Sequence, residues 1–197
     1  MTPRTARPDR AELEACHGLT VDDVVPSPLR LLFVGINPGL WTAAVNAHFA
    51  RPGNRFWPAL HRAGITSAPV DASLGLPRWA QEELAQAGIG ISNLVPVATA
   101  RADELTAAQL REGGARLRIL VAEHRPAVVA VLGVTAFRQA FGRRDIAVGP
   151  SDEPFEGAQL WVLPNPSGLN AHETVDSLAL WYRAAAEAAG LELHDPV

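Results

Sequence analysis

The 197 residues suffice for one domain of ordinary size, and a formal net charge of -4 is the wrong sign for a protein that coats nucleic acid indiscriminately, since such binding runs on cations paired with phosphates. A single cysteine, Cys16, excludes an intrachain disulfide and a four-cysteine iron–sulfur cluster. Every one of the 17 basic residues is arginine, so lysine Schiff-base chemistry is excluded too.

Taken in chain order, residues 1–24 carry Pro3, Pro8 and several acids with little apolar periodicity, and a loosely ordered N-terminal extension is expected there. Residues 1–10 lack the apolar block and small-residue cleavage site of a secretory leader. No run anywhere approaches the ~18 apolar residues of a membrane span, so a soluble, cytoplasmic protein is expected. Residues 25–197 are expected to form one domain. Four short apolar runs, at 29–36, 88–95, 127–132 and 160–163, alternate with amphipathic stretches at 54–63, 77–87, 106–123, 135–141 and 173–189. That alternation predicts an α/β fold, a three-layer α/β/α sandwich around a mostly parallel central sheet. Thr106 is placed as an N-cap, while Gly64, Gly142 and Gly190 stand where helices stop. The hydrophilic stretch 143–157, punctuated by Pro and Gly, predicts a surface loop or short hairpin between two buried strands.

Two of the predicted strands end in related turns, Gly35-Ile36-Asn37-Pro38-Gly39-Leu40 after the first and Asn165-Pro166-Ser167-Gly168-Leu169 after the last. Proline holds the preceding residue extended and fixes its own φ, and the glycines allow tight bends or close approach of another molecule. Each asparagine side chain is thereby aimed in a set direction. If the strands are parallel, both turns lie at one sheet edge, where open α/β folds bind ligands. Asn-Pro is also an ordinary turn initiator, so either motif alone is equally read as a plain turn. No phosphate-cradling P-loop, dinucleotide fingerprint or Cys/His metal spacing is present.

Four ordered blocks carry a family resemblance. They are Gly35-Ile36-Asn37-Pro38-Gly39-Leu40, then Phe49-Ala50-Arg51-Pro52-Gly53-Asn54-Arg55-Phe56-Trp57, then Asn93-Leu94-Val95 with Thr99-Ala100-Arg101-Ala102-Asp103-Glu104-Leu105, and Leu163-Pro164-Asn165-Pro166-Ser167-Gly168-Leu169. In order and spacing, over about residues 25 to 185, the chain resembles the mismatch-specific uracil and thymine-DNA glycosylases. The resemblance implies a cofactor-free and metal-free enzyme that flips uracil, notably opposite guanine, with extension to thymine or other damaged bases. It would act on double-stranded DNA, as a monomer, and hydrolyse the N-glycosidic bond. It implies that Asn37 positions the attacking water, and that Ile36, Phe49, Asn93 and Asn165 bind the base, with Phe49 stacking on it. Leu169 would be the wedge filling the vacated place in the duplex, flanked by Gly168 and Asn170 toward the widowed guanine. Asn170-Ala171-His172 stands where relatives carry Ser-Arg or a similar pair. Arg51, Arg55, Arg101 and Ser167 are candidate phosphate contacts, with solvated surface charge the competing reading for the arginines. Two alternatives stay open at this point: a uracil glycosylase of another family with single-strand preference, for which an acidic residue would be expected in place of Asn37, and a non-catalytic module that binds mismatched DNA or nucleotides.

Overall fold

The computed structural model describes residues 4–196; residues 1–3 of the expected extension and residue 197 of the expected domain lie outside it. In chain order come α1 (Arg10–Ala15), β1 (Leu31–Gly35), α2 (Leu40–Val45), α3 (Phe56–Arg62), α4 (Arg78–Ala87), β2 (Ile89–Asn93), α5 (Ala107–His124), β3 (Val128–Leu132), α6 (Val134–Phe141), β4 (Gly149–Pro150), β5 (Gln159–Leu163) and α7 (Val175–Ala188). The sheet runs β2-β1-β3-β5-β4. All neighbours are parallel except β4, which runs antiparallel to β5.

The strands are unbroken apolar runs because both sheet faces are covered. Alternate residues of β1 point into different cores. Leu31 and Phe33 join α3, α4 and α7 on one face, whereas Leu32 and Val34 join α5 and α6 on the other. From β1 the chain crosses to β2 on one side and then returns to β3 on the other. The connections therefore reverse beside β1, and a crevice opens at the carboxyl ends of the strands.

The expected fold class is the observed one, and the predicted strands and helices lie within a few residues of the observed bounds. Thr106 caps α5 through Gln109. Gly64, Gly142 and Gly190 adopt φ of 73°, 68° and 67° just past helix ends, the left-handed stop that glycine enters without penalty. Within 143–157, Gly149 and Pro150 pair with Val162 and Trp161, making the short hairpin.

Two segments differ from expectation. Helix α2, six residues long, is too short to show a period and was hidden inside the turn motif. Residues 4–24, expected to belong to a loose extension, are docked instead. Asp9 and Glu12 form a reciprocal capping box on α1, Cys16 and Val21 are buried, and Val24 exchanges two 2.8 Å backbone hydrogen bonds with Ile91. Strand β2 is the sheet edge, so this segment covers backbone groups that would otherwise be unpaired.

Helix α5 passes so close to the exit of β2 that a Cβ on Gly113 would sit inside the Leu94 carbonyl group. Gly to Ala inside a helix ordinarily stabilises by about 0.5–1 kcal/mol. Here backbone meets backbone, and Gly113→Ala is expected to lower stability by about 1–3 kcal/mol. Gly114→Ala, whose Cβ would press first on the Phe141 ring at 3.0 Å, is expected to lose less. Urea melts of both variants check the order; equal or greater stability of Gly113→Ala contradicts it.

Candidate active site

A cavity of about 130 Å³ opens at the carboxyl ends of the strands, below the usual range of drug-sized sites. The turn after β1 supplies Ile36, Asn37, Pro38 and Gly39, and the turn after β5 supplies Asn165 and Ser167. Phe49, Arg51, Asn93 and Arg101 complete the set of expected residues in its wall. No Asp or Glu is among the residues lining it.

Asn37 is held by its amide nitrogen. Nδ2 donates to the carbonyls of Pro38 and Val97, each at 3.1 Å, and to Thr99 Oγ1 at 2.7 Å. The Thr99 hydroxyl spends its own proton on the Arg101 carbonyl at 2.8 Å, so toward Asn37 it only accepts. Three acceptors facing one end of a carboxamide leave no doubt which end is nitrogen. Oδ1 is left for the cavity as an acceptor.

Phe49 stands on a rigid aromatic base. Its ring stacks on Phe56 at 4.0 Å with planes 24° apart, and Phe56 packs edge-on against Phe33 at 5.4 Å. The backbone at Phe49 has φ 55°, an uncommon conformation for a bulky residue and one that surrounding packing must sustain. Gly35 makes room for this arrangement. A Cβ there would lie 2.5 Å from Asn93 Oδ1 and 3.0 Å from the tip of the Phe49 ring. Asn93 is Gly35's register partner on β2, and its Nδ2 contacts Nδ1 of the buried His48 at 3.1 Å.

The 165–170 turn is braced from within and from α3. Asn165 Oδ1 accepts from the Ser167 N–H, Ser167 Oγ from the Leu169 N–H, and Asn170 Nδ2 donates to the Asn165 carbonyl. Leu169 projects from this brace, 79% exposed, with Gly168 exposed and Asn170 half-buried beside it. Those three follow the lining residue Ser167 in sequence and are not part of the cavity wall.

Arg55, expected as a phosphate contact, has part of its guanidinium committed to the protein. Its Nη1 donates to the carbonyls of Ser167 at 2.9 Å and Asn170 at 3.0 Å, so the guanidinium is a strut under the loop. Arg101 faces the cavity but pairs with Asp103. Arg51 is exposed, and its side chain makes no hydrogen bond or ion pair among the described residues.

Four polar wall residues are not among the expected site residues: Thr42, His48, Asn54 and Thr99. Asn54 accepts from the Phe56 N–H at 2.9 Å, which in sequence looks like nothing more than a helix start. His48 is one of six histidines spread along the sequence. Burial pushes its pKa down, with the Asp22 carbonyl and Asp23 acting against that trend. Among the described residues no cluster of three or more His, Cys, Asp or Glu is placed to hold a metal ion.

Against known proteins, the family model described as the uracil DNA glycosylase superfamily matches residues 22–188. The solution NMR structure of a candidate uracil DNA glycosylase from Methanosarcina acetivorans superposes with a TM-score of 0.58 at 15% identity. It covers 89% of this chain and 98% of that one. At that identity the likeness speaks to the fold alone.

The arginine geometry separates a phosphate contact from a strut. Arg51→Ala is expected to reduce the salt slope of duplex DNA binding by about one, whereas Arg55→Ala leaves the slope unchanged and weakens binding by loosening the Leu169 loop. Titrations at several ionic strengths check this; a reduced slope for Arg55→Ala contradicts the assignment.

Proposed function

This chain belongs to the uracil DNA glycosylase superfamily, and we propose that within it the protein is a monofunctional, mismatch-directed enzyme that excises uracil opposite guanine using a water positioned by Asn37. The observation that carries the proposal is the locked carboxamide: three acceptors hold Nδ2 of this cavity-lining residue, and no described residue donates to its Oδ1.

In the reaction, the C1′–N1 bond of the flipped deoxyuridine breaks and water oxygen bonds to C1′. The products are free uracil and an abasic sugar, with the water proton balancing the uracil anion. Asn37 Oδ1 accepts a hydrogen bond from the water and turns its lone pair toward C1′. A neutral amide is a poor base, and no carboxylate lines the cavity. The rate therefore rests on orientation and on stabilising negative charge on the departing base. Phe49 offers the face on which the base stacks, and base–aromatic stacking is worth about 1–3 kcal/mol. Asn93 reads the base edge, its Oδ1 toward the imino N–H. Leu169 enters the duplex where the nucleotide has left, and Gly168 and Asn170 meet the guanine. An exposed leucine on a braced loop has no packing reason to be there, and an apolar wedge at a base step gives it one.

The reading of another glycosylase class is disfavoured by the absence of a carboxylate in the first turn. The reading of a binding module is separated by product: only the enzyme releases free base.

In single-turnover assays on a U:G duplex, Asn37→Ala is expected to slow excision by about 100-fold or more with little change in duplex affinity. Asn37→Asp is expected to be slow as well, although a carboxylate is the better base. One of its oxygens would face the Pro38 and Val97 carbonyls, a placement that disfavours the ionised form. Base release by Asn37→Ala at the parent rate, or faster release by Asn37→Asp, overturns the proposal.

A further inference from the structure

His48 is 4% exposed and stands as a partition between the base cavity and a second, larger cavity of about 520 Å³, lining both. The mechanism above does not use it. Its Nε2 lies 2.9 Å from the Asp22 carbonyl oxygen. A carbonyl only accepts, so Nε2 carries the hydrogen. Burial favours the neutral ring, and in that tautomer Nδ1 is a bare lone pair. What faces it at 3.1 Å is the Asn93 carboxamide, and only the N–H end of a carboxamide can answer a lone pair. The relay from Asp22 C=O through His48 to Asn93 thus decides which way round the Asn93 amide sits.

The consequence falls on the other end of that amide. Oδ1 is directed to the gap above Gly35, at the edge of the Phe49 ring, and accepts no hydrogen bond from a described residue. Uracil presents acceptor, N3–H donor, acceptor along its pairing edge, whereas cytosine presents acceptor, bare N3, and an amino donor. An Asn amide with Oδ1 toward N3 and Nδ2 toward position 4 suits uracil. The same amide turned over suits cytosine.

We propose that His48 is a positioning residue for base choice: by holding Asn93 in one of its two orientations it makes the cavity accept bases with an N3–H and reject cytosine. This rests on the function proposed above and adds the origin of its selectivity. The relay also ties selectivity to charge. Protonating Nδ1 would make it a donor, and Asn93 would have to turn its oxygen toward His48 and its nitrogen toward the base. The groups bearing on His48 are the Asp22 main chain, the Asp23 carboxylate, Arg116 bridging Asp23 to the Asn93 carbonyl, the Trp57 indole on the His48 carbonyl, and Arg78 with Glu82 across the larger cavity. Because the His48 pKa is lowered, the uracil-selecting state holds above that pKa and is lost as pH falls through it.

The test is equilibrium binding of two duplexes bearing 2′-fluoro-deoxyuridine or 2′-fluoro-deoxycytidine, each opposite an abasic analogue so that neither base is paired. The parent protein is expected to prefer the uracil duplex at neutral pH, and His48→Leu to shrink that preference by about tenfold or more through gained cytosine binding as well as lost uracil binding. Damage to the fold alone would lower both affinities together. Should His48→Leu not fold, the parent protein measured at decreasing pH gives the same reading, its preference declining before acid unfolding. A folded His48→Leu with undiminished preference, or a preference flat with pH down to unfolding, overturns the inference. Absence of any uracil preference or base release in the parent would instead overturn the proposed function.

Discussion

A carboxamide has nearly the same shape either way round and opposite hydrogen-bonding sense at its two ends, and this site depends on fixing which end is which. Four asparagines line the cavity, and each has one end committed to the protein. Asn37 is tied by nitrogen to Pro38, Val97 and Thr99, and Asn93 by nitrogen to His48. Asn54 and Asn165 are tied by oxygen to the N–H groups of Phe56 and Ser167. The carboxamide oxygens without a protein donor are therefore those of Asn37 and Asn93, and the amide nitrogens without a protein acceptor are those of Asn54 and Asn165 among the described residues. A site without a carboxylate acquires a directional pattern from neutral groups, whose cost of burial is far lower than that of an unpaired charge.

The fold provides the fixed frame for that pattern. Gly35 and Gly113 matter because something approaches too closely for a side chain: the Asn93 amide and Phe49 ring in one case, the Leu94 carbonyl in the other. Phe33, Phe56 and Phe49 form a continuous aromatic column from the sheet to the cavity, so the Phe49 ring is held in place by packing alone. Arg55 ties the Leu169 loop to the start of α3. Asn37 and Leu169, the proposed water-positioning side chain and wedge, thus follow parallel strands of one sheet.

Much of this was legible in the sequence because the local signals agree. Unbroken apolar runs marked β1, β2, β3 and β5, the glycines at 64, 142 and 190 marked helix ends, and the paired Asn-Pro turns pointed to one edge. What was not legible depends on partners distant in sequence. Arg55 sits in a motif with the look of a phosphate contact, and only the structure shows its Nη1 donating to carbonyls 112 and 115 residues away. His48 carries no local pattern at all; its role arises from Asp22 on one side and Asn93 on the other. Helix α2 falls below the length at which a period shows, and the segment before residue 25 gains its order from the edge of β2, which no local composition records.

The most direct measurement is a high-resolution structure of the protein on a duplex bearing 2′-fluoro-deoxyuridine opposite guanine, a nucleotide whose glycosidic bond resists cleavage. The account predicts an ordered water within hydrogen-bonding distance of Asn37 Oδ1 and on the face of C1′ opposite the departing N1, with Asn37 Nδ2 still held by Val97 and Thr99. A water-free C1′ face, or an Asn37 amide turned so that its nitrogen meets the substrate, would contradict it.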